Sequence, residues 1–148
     1  MKTHSFLLAG LIVLNAIQLQ AQQGAAEPKA YAPDAGYTLV WQENFDGNQL
    51  NENVWIVEVN GDGGGNNEMQ YYRRENISVG AEPVTGAGCL ILTAKKENFG
   101  GKVATSGRLK TLGKMAFKYG KIEARIKLPK TANGLWPAFW MMGNDHPT

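Results

Sequence analysis

The stretch Gly65-Asn66-Asn67-Glu68-Met69-Gln70-Tyr71-Tyr72 runs from a glycine-rich loop into amides, one carboxylate and two tyrosines. Asn and Gln amides donate and accept hydrogen bonds, as hydroxyl groups do. Aromatic rings can cover the apolar C–H faces of a sugar. The mixture suits carbohydrate recognition, and it suits equally well a surface loop leading into a tyrosine-bearing strand. A second stretch, Thr105-Ser106-Gly107-Arg108, sets one arginine after small residues. Such a guanidinium can reach into a cleft and hydrogen-bond through its planar fork, although a solvated arginine on an open face is the commoner meaning of so short a pattern. The third stretch is Gly134-Leu135-Trp136-Pro137-Ala138-Phe139-Trp140-Met141-Met142. On an extended strand, alternate residues share a face, which puts Trp136, Ala138, Trp140 and Met142 together. Two indoles with a small residue between them can form a stacking platform, or the strand can be core on both sides. Packing on one face and a groove floor on the other reconciles the two.

These residues need strands to position them. Thr38–Phe45 is a strand candidate that ends in the turn Asp46-Gly47-Asn48. Val54–Val59 is another, before the long loop Asn60-Gly61-Asp62-Gly63-Gly64-Gly65-Asn66-Asn67, and Leu90–Lys96 a third, with Gly100-Gly101 as the turn after it. The clearest pattern lies between Gly120 and Pro129, where Ile122, Ala124, Ile126 and Leu128 alternate with Lys121, Glu123, Arg125 and Lys127. That alternation predicts a strand with one apolar face in a core and one charged face in water. No segment of the mature chain shows an apolar stripe at helical spacing. The expected class is all-β, most simply a two-sheet sandwich.

The chain has 148 residues, a formal net charge of +2, 18 glycines and 19% charged residues, with no Lys/Arg run longer than two. It is therefore long enough for about one domain, and a nucleic-acid partner, which needs a concentrated basic patch, is not expected. Residues 1–21 read as a signal peptide: Lys2 and His4 precede the apolar run Phe6–Ala16, and Ala21 fits a cleavage site. The competing reading is a membrane anchor, but the run is short of the ~20 residues that a spanning helix needs. The expected location is therefore secreted or periplasmic, with no membrane association after cleavage. Residues 22–36 mix Gln, Ala, Gly and Pro without periodicity and read as a flexible linker. Cys89 is the single cysteine, so no internal disulfide can form. Its neighbours Leu90-Ile91-Leu92 mark it as a small buried hydrophobe rather than a reactive thiol.

Taken in order, Leu39-Val40-Trp41-Gln42-Glu43-Asn44-Phe45-Asp46-Gly47, Asn66-Asn67-Glu68-Met69-Gln70-Tyr71-Tyr72, Leu92-Thr93-Ala94-Lys95-Lys96, Thr105-Ser106-Gly107-Arg108-Leu109, Tyr119–Pro129 and Gly134–Met141 resemble family 16 glycoside hydrolases, and best of all their laminarinase-like members, the endo-β-1,3-glucanases. The resemblance covers Tyr37 to about Asn144, so residues 37–148 read as the N-terminal part of such a domain. It implies a β-jelly-roll sandwich whose concave sheet holds a β-glucan chain. It also implies retaining hydrolysis of β-1,3- or mixed β-1,3-1,4-linked glucan by two glutamates from a Glu-Ile-Asp-Ile-x-Glu strand, with carboxyl groups ~5–5.5 Å apart. Carried over by motif, the substrate-binding positions are Asn67, Arg108, Trp136 and Trp140, with Asn66 or Glu68 able to take the role of Asn67 because loop lengths vary. No cofactor is expected for the chemistry. Some members bind a structural Ca²⁺, for which the sequence shows no ligand cluster. A monomer is expected for the full-length protein.

The catalytic motif does not occur here. In the resembled family it follows the Trp-Pro-Ala-Phe-Trp strand, and this sequence reaches only Gly143-Asn144-Asp145-His146-Pro147-Thr148 after it. No catalytic residue is therefore expected within the chain. The expectation is a truncated enzyme, its jelly roll incomplete and its catalytic strand beyond Thr148, poorly soluble and inactive when expressed alone. The alternative is a carbohydrate-binding module or lectin that kept the sandwich without catalysis.

Overall fold

A strand persists only where a second backbone takes up its hydrogen bonds, and this decides which of the alternating segments become strands. The computed structural model describes residues 31–146; the expected signal peptide and residues 22–30 of the expected linker lie outside them. The described chain is all-β, with six short strands, two 3₁₀ turns and no α-helix. It divides into two units. One comprises the segment ending at Gln49 together with Ser78–Ile91; the other comprises Leu50–Ile77 and the chain from Leu92 onward.

β3 (Ile77–Ala81) and β4 (Gly88–Leu92), which belong to the first unit except for their end residues Ile77 and Leu92, pair as a hairpin. The connection is too short for a parallel crossover. Its loop is held by Glu82, whose carboxylate accepts from Val84 N at 3.0 Å, Thr85 N at 2.8 Å and the Thr85 hydroxyl at 3.0 Å. Cys89, expected to be buried, is half-buried on β4.

In the second unit, β1 (Ile56–Val57) pairs antiparallel with β6 (Leu109–Lys110), matching Ile56 to Lys110 and Val57 to Leu109. The ladder continues through Glu58 N, which donates to Arg108 O at 2.9 Å. β2 (Gln70–Tyr72) runs parallel to β5 (Ala104–Ser106), with Tyr71 opposite Thr105. Residues 73–103 provide the long crossover that a parallel pair requires.

The buried centre of this unit is polar. Thr105 (0% exposed) and Asn76 (1%) are the fully buried side chains among the described residues. Asn76 Nδ2 donates to Thr93 O at 2.7 Å and to Thr105 Oγ1 at 3.0 Å. Thr105 Oγ1 in turn donates to Glu97 Oε1 at 2.6 Å, and Arg73 NH1 lies 3.4 Å from the same oxygen. Arg73 also covers the Phe99 ring at 3.9 Å, and Phe99 meets Tyr71 edge-on at 5.0 Å. The Thr105 hydroxyl, helped by the Lys95 and Arg73 charges and opposed by desolvation, holds the Glu97 carboxyl below its ordinary pKa. Because the folded pKa is depressed, this pairing stabilises the fold above the unfolded carboxylate value and is lost as pH falls through the folded value. Thr105→Val is expected to move the Glu97 pKa upward, read from its carboxyl carbon in an NMR titration.

Three expected strands differ from the structure. Thr38–Phe45, Gly120–Pro129 and the Trp136–Met142 segment carry no ladder, and residues 116–146 are exposed throughout. Ile122, Ile126 and Leu128 are 44%, 52% and 60% exposed. The alternation itself survives, since Lys121 and Glu123, two residues apart, form an ion pair at 3.0 Å. What these segments lack is a facing backbone among the described residues. Val54–Val59 contracts to Ile56–Val57, while the Leu90–Lys96 candidate becomes β4 followed by a bridge from Lys95 to Thr105.

Candidate functional site

Arg108 leaves β5 through Gly107 and enters β6. A Cβ at Gly107 would lie 2.7 Å from Ile77 Cγ1 and 2.9 Å from Asn76 O, so only glycine lets the backbone pass here. The β1–β6 register continues to place Glu58 opposite Arg108, and side chains two apart share a face. Glu58 consequently meets both cations of the neighbouring strand. Its Oε2 lies 2.7 Å from Arg108 Nε and its Oε1 2.5 Å from Lys110 Nζ.

Glu68, Gln70 and Tyr72 are likewise two apart on one face. Tyr72 Oη donates to Glu68 Oε2 at 2.5 Å, and Gln70 Nε2 donates to Tyr72 Oη at 2.8 Å and to Glu68 Oε2 at 3.2 Å. Glu68 also approaches Arg108 NH1 at 3.8 Å. Gly64 makes room for this carboxylate: it has φ +54°, and a Cβ there would stand 2.5 Å from Glu68 Oε2. Burial, followed by the hydrogen bond to Glu68, raises the Tyr72 pKa above its ordinary value, so the hydroxyl stays a donor at neutral pH.

The Arg108 guanidinium is thus tied to two carboxylates and flanked by two rings, Tyr72 at 5.4 Å and Trp140 at 5.5 Å. Arginine carries five N–H donors, and the ion pairs engage Nε and NH1. The site can therefore offer further guanidinium donors beside a half-exposed indole, an arrangement suited to a ligand with both hydroxyl groups and an apolar face.

Of the four sequence-derived positions, Arg108 and Trp140 come together here. Trp136 is 89% exposed on the segment leading to Trp140. Asn67 has a left-handed backbone, φ 57°, and borders a shallow pocket of about 270 Å³ with Glu68, Met69, Gly101, Lys102 and Val103. Lys102 Nζ donates to Glu68 O at 3.0 Å there, so Glu68 links the pocket of Asn67 to Arg108. Glu58 and Lys110 stand in no motif of the sequence, and nothing distinguishes Gln70 or Tyr72 within theirs. A lone carboxylate in the otherwise apolar Val54–Val59 run was the available signal for Glu58.

The sequence profile of the family described as beta-glucan synthesis-associated protein SKN1/KRE6/Sbg1 matches residues 29–146. The chain belongs to this family. Among relatives of known name, it is 43% identical over 111 residues to the clotting factor G alpha subunit of Tachypleus tridentatus, covering 74% of this chain and 15% of that protein. It is 41% identical over 107 residues to a beta-glucanase of Rhodothermus marinus, covering 72% of this chain and 36% of that protein. It is 38% identical over 111 residues to a glucan endo-1,3-beta-glucosidase of Cryptopygus antarcticus, covering 72% of this chain and 38% of that protein. The chain spans well under half the length of each. The family match takes in every residue of the Arg108 cluster. Among the described residues, no group of three or more His, Cys, Asp or Glu side chains gathers where it could hold a metal ion. Nor is any helix among them long and apolar enough to cross a membrane.

Proposed function

We propose that this chain supplies part of the glycan-binding cleft of a secreted family 16 glycoside hydrolase, laminarinase-like, acting on β-1,3-linked glucan. The observation that carries the reading is Arg108, oriented by Glu58 and Glu68 and flanked by the Trp140 and Tyr72 rings. The similarity to a beta-glucanase and to a glucan endo-1,3-beta-glucosidase supports it. Glu58 and Glu68 are engaged with cations and hydrogen-bond donors. They orient Arg108 and are not assigned as acid and nucleophile. The two glutamates of the retaining mechanism are proposed to lie outside these 148 residues, on a further strand of a jelly-roll sandwich.

In this arrangement the glucan lies along the Trp136–Trp140 segment. An indole covers the C–H face of a glucosyl ring, while the free N–H groups of Arg108 and the amide of Asn67 bond its hydroxyls. Aromatic contacts contribute about 0.5–1.5 kcal/mol each. Trp140→Ala is therefore expected to weaken laminarin binding by the full-length protein about 2- to 10-fold, measured by affinity electrophoresis. The functional test is release of reducing ends from laminarin, lichenan and agarose by the full-length protein. Preferred cleavage of laminarin is expected, and inertness toward all three would overturn the enzymatic reading. Binding without cleavage would favour the second reading, a β-glucan-binding protein of the same fold. That reading draws on the similarity, 29% identity over 147 residues, to a beta-1,3-glucan-binding protein of Penaeus monodon.

A further inference from the structure

The Arg108 cluster carries more carboxylate than an arginine needs for positioning alone. One guanidinium meets Glu58 at 2.7 Å and Glu68 at 3.8 Å, and Lys110 meets Glu58 at 2.5 Å. Two negative charges thus balance two positive ones. Glu58 is only 13% exposed and Glu68 only 23%, so water screens these charges less than it would on an open surface. An arginine presented without such partners is a good receptor for sulfate or carboxylate, because its fork matches those anions. Here both carboxylates already occupy guanidinium edges, and an incoming anion would meet them as like charges. A neutral hydroxyl meets no such penalty and can still accept from the N–H groups that remain.

We propose that Glu58, with Glu68, is a specificity-determining residue that makes the Arg108 subsite accept neutral glucan and reject sulfated or carboxylated glycans. This rests on the proposed function above and extends it. Discrimination is set by repulsion of the wrong ligand as well as by attraction of the right one. Glu58 supplies the repulsion, and its location opposite Arg108 on the β1–β6 ladder keeps its charge beside the ligand.

The test compares laminarin with laminarin sulfate on the full-length protein, by affinity electrophoresis at low and at high salt. Wild type is expected to bind laminarin and to be retarded little by the sulfated form. Glu58→Gln keeps the shape and removes the charge. It should raise the affinity for laminarin sulfate relative to laminarin by about 10-fold or more at low salt, with the gain shrinking as salt increases. Glu58→Asp should restore the discrimination, which a purely structural role would not predict. Glu68→Gln should shift the ratio in the same direction. If wild type binds laminarin but the ratio is unchanged in both Gln variants, or changes without salt dependence, the inference is wrong while the proposed function stands. If wild type binds neither polysaccharide, the proposed function fails and takes this inference with it.

Discussion

Arg108→Ala is expected to destabilise the second unit by about 1–3 kcal/mol and to weaken β-glucan binding by about 10- to 100-fold. The stability loss arises because the substitution strands Glu58 and Glu68. Glu58 keeps only Lys110, and Glu68 keeps Tyr72 and Gln70, which are neutral donors. Removing one partner of a buried pair costs about 3–5 kcal/mol. These side chains are 26%, 13% and 23% exposed, so solvent reduces the figure. The binding loss follows from deleting charge-assisted hydrogen bonds worth about 1.5–3 kcal/mol. Arg108→Lys separates the two effects. It restores a cation between the carboxylates and should recover most of the stability, but it lacks the planar fork and should recover little of the binding. Denaturant titration and laminarin affinity, measured on both variants, check the pattern.

Gly107→Ala is expected to cost about 2–3 kcal/mol, within the range for overpacking a filled site. The new methyl would lie 2.7 Å from Ile77 Cγ1, 2.9 Å from Asn76 O and 3.2 Å from Leu92 Cδ2. Ile77 and Leu92 can rotate. Asn76 O cannot move freely, because it accepts from Thr93 N at 2.9 Å and its side chain holds Thr105. The strain therefore reaches the buried polar centre and displaces Arg108 next to it. Thermal unfolding should begin several degrees lower than in wild type, with glucan binding reduced even well below the transition. An unchanged midpoint would show that the backbone here yields more easily than its contacts indicate.

Residue types alone left this site open, and the family resemblance selected its positions. Arg108 after Ser106-Gly107 and the indole of Trp140 were carried over by motif, and the structure brings them within 5.5 Å. Asn67, in the loop before β2, borders a pocket instead, and Trp136 lies exposed on the segment that leads to Trp140. Thr105 looked like a small residue leading to an arginine, whereas it is the most deeply buried side chain of the unit, because a hydroxyl can join an amide to a carboxylate in a tight space. Glu58 left only a faint local signal, a lone carboxylate in an apolar run, for a physical reason. Its importance comes from cross-strand register, and a two-residue ladder such as Ile56–Val57 with Leu109–Lys110 leaves no long local pattern from which register can be deduced. The parallel pairing of Gln70–Tyr72 with Ala104–Ser106 is similarly non-local. In the reverse case, the alternation from Gly120 to Pro129 was plain in the sequence, yet a face pattern states only how a strand would orient and not that a partner is present to complete it.

The most direct test of glucan contact at Arg108 and Trp140 follows the assigned indole N–H resonances of Trp41, Trp55, Trp136 and Trp140 in the full-length protein during titration with laminarihexaose. The Trp140 signal, with that of Trp136, should move progressively and saturate, while those of Trp41 and Trp55 stay in place. A titration in which no indole moves, or in which Trp41 and Trp55 move and Trp140 does not, would contradict the assignment of this face to a β-1,3-glucan.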